Sequence, residues 1–363
     1  MRFIIAFLFA WMLTACNQSA KKPQVESFES EVFGDTIEND YAEAFRIIQF
    51  SKYTQIDLID PLNDSILYRY GVGEDVPMKL ENLGAEIKTV AALSSTHVGM
   101  LKALNAEDRI IGVSEKRYLC EDNLHYDWIN FGELGQSDPE LFIKHNPSLI
   151  MYSGFKLNPP VLEKLKKLGI STMVNFDWKE THPLGRAEWL KVFGYLFNMK
   201  TQAESTFNAI EKNYLTLANS VVQRVKTPSV LVGTVYGDVF NAPAGESYLA
   251  KLLEDANVNY VYSETKGTGS LTIGLEEMIT ENQATDYWLN AAARSRSEVL
   301  QMNANFDLLK AYQNKHLYTY FANVNCFWEE SAVAPDKVLS DLIHLFYKED
   351  LTFNDLNYYS RIK

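Results

Sequence analysis

The stretch Thr89–Glu115, "TVAALSSTHVGMLKALNAEDRIIGVSE", decides the fold. "TVAALSS" is a short apolar run that ends on a turn signal, so it is a buried strand. "HVGMLKALNA" carries helical spacing, and "RIIGVSE" returns to a short apolar run. Strands that are apolar on both faces and separated by a helix belong to a parallel sheet covered on both sides. The rhythm continues with "PELFIKHN" as helix, "SLIMYSG" as strand, "PVLEKLKKLG" as helix ending in Gly169, and "STMVNF" as strand.

Further on, "PLGRAEWLKVFGYLFN" reads as one helix and "TQAESTFNAIEKNYLTLANSVVQRV" as another, with Thr201 as its cap. Ala203, Phe207, Ile210, Tyr214, Leu217, Val221 and Val225 keep three- and four-residue spacing along it. About 24 residues at 1.5 Å each give roughly 36 Å, enough to cross between two lobes. A second series follows: strand "SVLVGTVYG", helices "ESYLAKLLEDAN" and "LEEMITEN", strand "TDYWLNAA", helix "FDLLKAYQN", strand "HLYTYFA" and closing helix "APDKVLSDLIHLFY". Upstream, "FRIIQFSKYTQIDLIDPLNDSILYRYGVGED" shows two alternating runs around "DPLND", which predicts a hairpin. The expected fold class is α/β: two Rossmann-like lobes with mainly parallel sheets, joined by a single long spine helix, with a ligand cleft between them.

The chain opens on "MRFIIAFLFAWMLTAC", with Arg2 ahead of an apolar run too short to anchor a span. "LTAC" resembles a bacterial lipoprotein cleavage box, which implies cleavage before Cys16 and a lipid on its sulfur; an ordinary signal peptide with a chance cysteine also fits. The polar residues that follow suit a tether. The expected division is signal peptide 1–15, lipidated cysteine and tether 16–40, hairpin extension 41–85, N-terminal lobe 86–183, helical region 184–226 and C-terminal lobe 227–363. The formal charge of −13 argues against nucleic acid as a partner. Aromatic residues make up 13%, enough to fill cores and still line a large, partly apolar ligand site. With Cys16 lipidated, Cys120 and Cys326 remain, as a disulfide or as two separate thiols.

The two lobes share one echo. "PELFIKHNPSLIMY" and "LEEMITENQATDYWL" place a Glu, two apolar residues and an Asn at matching offsets before a strand, so Glu140 aligns with Glu276. "VAALSSTHVGMLKALNAEDRIIGVSE", "DPELFIKHNPSLIMY", "LEKLKKLGISTMV", "ETHPLGRAEWLKVFGYLFN" and "APAGESYLAKLLEDANVNYV", in that order over roughly residues 86 to 350, resemble the class III periplasmic binding proteins of the iron and cobalamin type. These are the substrate-binding components of ABC importers for ferric siderophores, haem and cobalamin. The resemblance implies a lipid-anchored monomer on the periplasm-facing side of the cell envelope. It takes a chelated metal in the interlobe cleft, has no intrinsic cofactor, and serves a permease and its ATPase. It also implies that Glu140 and Glu276 dock on permease arginines. A carboxylate in a first helical turn favours that role, being stabilised by the dipole and matched to an arginine fork. Each also has a local explanation: Ser137-x-x-Glu140 is a capping box as written, and Glu276 is an ordinary first-turn charge.

Ligands of open α/β sheets bind at the carboxyl ends of strands. The candidates there are Ser95, His97, Arg117, Tyr118, Ser153, Trp178 and Arg186 in the first half, and Tyr236, Phe240, Ser247, Asn323 and Trp328 in the second. Tyr and Trp would stack on a macrocycle or catecholate, and the arginines would pair with an anionic complex. Arg186 also has Glu188 or a spine residue as an internal partner, and His97 also suits a helix start. The six histidines form no HxH or HxxxH pair, so a metal is expected inside a chelator and not on the protein. Two rivals are a lipid-anchored α/β enzyme and a surface scaffold or adhesion lipoprotein. Against the enzyme, "GTGSLTIG" lacks the G-x-G-x-x-G spacing and "GESYL" fails the nucleophile elbow at its last position.

Overall fold

A computed structural model describes residues 34–154, 160–225, 227–348 and 356–363. The expected signal peptide, Cys16 and the tether as far as residue 33 lie outside the described residues.

The segment expected as a hairpin is a five-stranded sheet in chain order: Asp35–Ile37, Phe45–Gln49, Tyr53–Asp60, Ser65–Gly73 and Glu81–Asn82. Its first three pairings are antiparallel and the last is parallel. The first alternating run is two strands, because the chain reverses at Phe50–Lys52. That turn holds no Gly, Pro or Asn to announce it. It closes through Phe50 N–H donating to the Tyr53 carbonyl at 2.9 Å, and the two rings stack 4.5 Å apart.

The N-terminal lobe has five parallel strands in the order Thr172–Asn175, Leu149–Ser153, Val90–Ala92, Ile110–Val113, Ile129–Asn130. The central strand of that sheet is the one from the opening stretch, and all of its residues are buried. The C-terminal lobe has the order Asn259–Tyr260, Ser229–Val232, Tyr287–Leu289, Leu317–Thr319, Ser360–Arg361, parallel except for the last pair. "SVLVGTVYG" is not one strand. At Gly233, with φ +154°, the chain leaves this sheet and enters a three-stranded antiparallel one (Thr234–Tyr236, Val239–Pro243, Ser270–Gly274). A Cβ at Gly233 would strike the Asn241 carbonyl, so the switch needs glycine in both φ and space.

The helix expected over Pro183–Asn198 is two, Pro183–Glu188 and Leu190–Leu196, with every residue of both buried. The spine helix runs Lys200–Val221, 22 residues or roughly 33 Å. Thr201 lies inside it and is not its cap; Met199 precedes the helix and makes no side-chain cap bond. The helix stops at Val221, short of Val225, where the Asn257 amide donates to the Val221 and Arg224 carbonyls at 2.8 and 3.2 Å. Ala203, Phe207, Ile210, Tyr214 and Val221 form its buried stripe. "FDLLKAYQN" is a 3-10 turn, Ala304–Leu308, followed by the short helix Lys310–Gln313. Arg296–Met302 and Val324–Glu330 are helical without having been anticipated, while Pro335–Tyr347 closes the lobe as expected.

Two buried carboxylates hold the N-terminal sheet to this frame. Glu188 accepts backbone N–H groups from Asp40, Tyr41 and Ala42 at 2.8–2.9 Å and the Lys191 ammonium at 2.6 Å. Glu180 accepts from the N–H groups of Glu43 and Ala44 at 2.8 and 3.1 Å and from Trp189 Nε1 at 2.7 Å. Burial pushes the Glu180 carboxyl up to about 7, against the pull of these donors.

Candidate ligand cleft between the lobes

Strand Leu317–Thr319 of the C-terminal lobe ends at Tyr320. Ser247 caps helix Tyr248–Asp255, its Oγ accepting from Ala250 N–H at 3.2 Å, and so sets Tyr248 at the start of that helix. Facing both from the helical region is Arg186. Its Nε and Nη2 donate to Asp177 Oδ2 at 3.2 and 2.8 Å, and its guanidinium lies 4.3 Å from the centre of the Tyr248 ring. Burial opposes the arginine's charge, but Tyr248 and Asp177 outweigh that and hold its pKa above the ordinary value. The internal partner is therefore Asp177, not Glu188.

Helix Val324–Glu330 completes the wall. Phe327 stacks on Tyr320 with ring centres 3.9 Å apart and planes 5° from parallel, and Trp328 meets Tyr320 edge-on at 5.9 Å. The cavity these residues enclose, with Pro183, Leu249 and Pro335 at its margins, measures only about 30 Å³. That admits a water or two, whereas small-molecule sites run to roughly 300–1,000 Å³.

The same helix is fastened to the N-terminal lobe. Cys326 is disulfide-bonded to Cys120, which settles the two thiols that the sequence left open. Glu329 is fully buried and accepts from the Lys102 ammonium at 3.2 Å, Cys120 N–H at 3.1 Å and the Asn123 amide. Asn325 donates to the Arg117 and Leu119 carbonyls at 2.8 and 3.0 Å. Helix Ser95–Ala103 passes so close that a Cβ on Gly99 would fall on the Glu329 carbonyl.

Of the ligand candidates from sequence, Arg186 and Trp328 come together at this cavity. Arg117 and Tyr118 do not line it; they are exposed, with the Arg117 carbonyl on the Asn325 amide, and are paired with each other through a 3.2 Å hydrogen bond and a cation–π contact. Ser95, Ser153 and Trp178 are half-buried at strand ends of the N-terminal lobe, and Asn323 is exposed with its amide on the Tyr358 carbonyl. Tyr236 is 79% exposed on the small antiparallel sheet. Three candidates sit inside the protein. His97 is fully buried and its pKa falls to about 4 through desolvation, so it is a neutral core residue. Phe240 packs edge-on against Trp288 in the C-terminal core. Ser247 is spent on its cap. Tyr248, Tyr320 and Phe327 were missed, although each sits within an aromatic run after a strand or at a helix start.

The Ser137 capping box is also corrected. The cap is Asp138, whose Oδ1 accepts from Glu140 N–H at 3.0 Å, while the Ser137 hydroxyl donates to the Gly132 and Glu133 carbonyls. Glu140 and Glu276 are both exposed in the first turns of helices Pro139–His145 and Leu275–Glu281, one in each lobe. The Lys164 ammonium lies 3.8 Å from Glu140. Among the described residues no cluster of His, Cys, Asp or Glu could hold a metal ion, and no helix is long and apolar enough to cross a membrane.

Solved structures share this fold. One, described as a possible iron-binding periplasmic solute-binding protein from Staphylococcus epidermidis, superposes with a TM-score of 0.60 at 19% identity, over 72% of this chain and 100% of its own. A periplasmic heme-binding protein from Pseudomonas aeruginosa gives 0.60 at 14% identity, over 76% and 98%. An uncharacterized lipoprotein of Methanocaldococcus jannaschii is 26% identical over 284 residues, 74% of this chain and 67% of that one. The family model for periplasmic binding proteins matches residues 90–324, which span the N-terminal lobe, the spine and most of the C-terminal lobe. The chain belongs to the periplasmic binding protein family, and is a substrate-binding protein and not an enzyme.

Proposed function

We propose that this chain captures a metal chelate in the cleft between its lobes and passes it to the permease of an ABC importer. The chelate is a ferric siderophore, haem or cobalamin. The observation that carries the reading is the aromatic wall of Tyr248, Tyr320, Phe327 and Trp328 beside the Arg186 guanidinium, where the helical region meets the C-terminal lobe. Conjugated rings stack on such walls and a guanidinium attracts an anionic edge. Similar solved structures described as heme-binding and iron-binding support that class of ligand. The lipid on Cys16 would anchor a monomer to the envelope, and the relative described as a lipoprotein supports this. The chain would divide at residues 15, 40, 85, 183 and 226, and the separate five-stranded sheet of the extension supports the boundary at 85. Glu140 and Glu276 would dock the two lobes on permease arginines, as exposed first-turn carboxylates suit.

The test is a screen of the chain from residue 17 against haemin, cyanocobalamin and ferric catecholate, hydroxamate and carboxylate complexes, read by tryptophan quenching at Trp328. Saturable binding of one class is expected, and silence from all of them overturns the reading. Glu140→Lys with Glu276→Lys should abolish uptake while leaving ligand affinity unchanged; normal uptake would remove the docking role.

A further inference from the structure

The wall that suits a flat ligand is already covered by the protein's own helix. Phe327 lies on Tyr320 in the parallel stack that a conjugated ligand ring would make, with Tyr358 and Tyr359 edge-on to it at 5.6 and 6.3 Å. The remaining space, about 30 Å³, is an order of magnitude below the size of a chelate site. Entry of a chelate therefore requires either that helix Val324–Glu330 leave the Tyr320 face or that the lobes part. Both movements pull Cys326 away from Cys120, and the covalent bond between them opposes that without closing the site outright.

We propose that helix Val324–Glu330 is a plug seated in the protein's own ligand site, and that the Cys120–Cys326 disulfide decides whether it can leave. The proposal rests on the cleft being the ligand site. In the oxidised chain the plug is held by that bond, by the Lys102, Cys120 and Asn123 donors to Glu329, and by Asn325 on the Arg117 and Leu119 carbonyls. A dithiol reductant opens the covalent part. Two electrons and two protons convert the disulfide to two thiols, and the reductant departs as its own disulfide. The polar contacts that remain are individually reversible, so the plug becomes an equilibrium element. Apparent affinity scales with the fraction of molecules whose site is uncovered.

Three forms of the chain from residue 17 test this: the oxidised protein, Cys120→Ser with Cys326→Ser, and wild type reduced with a phosphine, alkylated with iodoacetamide and freed of excess reagent. The alkylated form serves if the double variant folds poorly. Haemin is the first probe, followed by cyanocobalamin and a ferric catecholate. The two opened forms should bind the accepted probe about tenfold more tightly than the oxidised chain, or better. Amide exchange across residues 321–331 should be about tenfold faster or more in both, with the N-terminal sheet unaffected. Equal affinity in all three forms overturns the plug, as does unchanged exchange over 321–331. Faster exchange with no binding of any probe by any form sustains the plug and overturns the ligand reading.

Discussion

Two segments far from their neighbours in sequence are pinned by buried carboxylates, and they are pinned differently. At the N-terminal clasp, Glu180 and Glu188 take the backbone of residues 40–44, with Trp189 and Lys191 completing both acceptors. At the plug, a single carboxylate, Glu329, takes one backbone N–H, one amide and one ammonium, Asn325 adds bonds to two carbonyls, Phe327 stacks on Tyr320, and a disulfide supplies the covalent tie. The clasp is a network whose every member depends on the fold around it. The plug is a light polar seat with a removable bolt. A site that must open has few non-covalent ties, and a strut that must not move has many.

The largest effect should come from Glu188→Ala. It strands three backbone N–H groups and leaves the buried Lys191 ammonium without its counter-charge, on the Glu38 carbonyl alone, at a cost of about 3–5 kcal/mol in urea denaturation. A loss under about 1 kcal/mol would mean that the clasp is as light as the plug.

The clasp should also respond to pH. The folded-state pKa of Glu180 is raised to about 7. Below about 4.5 the carboxyl is neutral both folded and unfolded, and its burial costs nothing. As pH rises from there to about 7 the unfolded chain ionises first, so the folded state holds the extra proton and stability falls by about 3 kcal/mol. His97 acts in the opposite sense. Its folded pKa near 4 contributes stability above its unfolded value that is lost as pH falls through 4. The two slopes oppose each other between about 4.5 and 6.5. Glu180→Gln should remove one and uncover the other, so that stability declines as pH is lowered through that window. A variant that follows wild type in parallel at every pH would refute the Glu180 shift.

Much of this was legible in the chain and some was not. The apolar strands of Thr89–Glu115 carried the parallel sheet, because burial on both faces leaves only one sheet type. The order of motifs carried the family. The Phe50–Lys52 reversal was hidden because a stacked aromatic pair closes it in place of turn residues. Gly233 sat in plain sight, yet a glycine within an apolar run marks a change of sheet only once its crowding against Asn241 is known. For the site, the rule that ligands lie after strands found Arg186 and Trp328. It also gathered Phe240, although the alternation Val239, Phe240, Asn241, Ala242 already sets Phe240 on the buried face. The plug helix is not legible because "VNCFWEE" has no helical stripe of its own; it is held by contacts with residues some two hundred positions away.

Removing the plug's polar seat should cost less than breaking the clasp. Glu329→Ala strands the Cys120 N–H and the Asn123 amide, while Lys102, 29% exposed, turns to water. A loss of about 2–3 kcal/mol is expected, measured against Glu188→Ala under the same conditions. If the two variants lose equally, the distinction between network and bolt fails.

The smallest effect is the most discriminating, because each anchor has a glycine beneath it. A Cβ on Gly185 would come within 2.9 Å of the Tyr41 carbonyl and 3.1 Å of Glu180 Oε2, so the clasp has little room to give. A Cβ on Gly99 would land on the Glu329 carbonyl, which is backbone and cannot rotate away, so the plug must shift bodily. Gly99→Ala costs about 1–3 kcal/mol in overlap and recovers up to about 1 kcal/mol in helix propensity, since Gly99 lies mid-helix. The net change should be about 1 kcal/mol while the disulfide keeps the displaced helix nearby. Its signature is local: faster amide exchange over 321–331, with the 34–82 sheet unchanged. Gly185→Ala should do the reverse, loosening the sheet and leaving the plug protected. A Gly99→Ala chain whose plug exchanges as slowly as wild type would show that the helix is part of the core and not a seat that can be vacated.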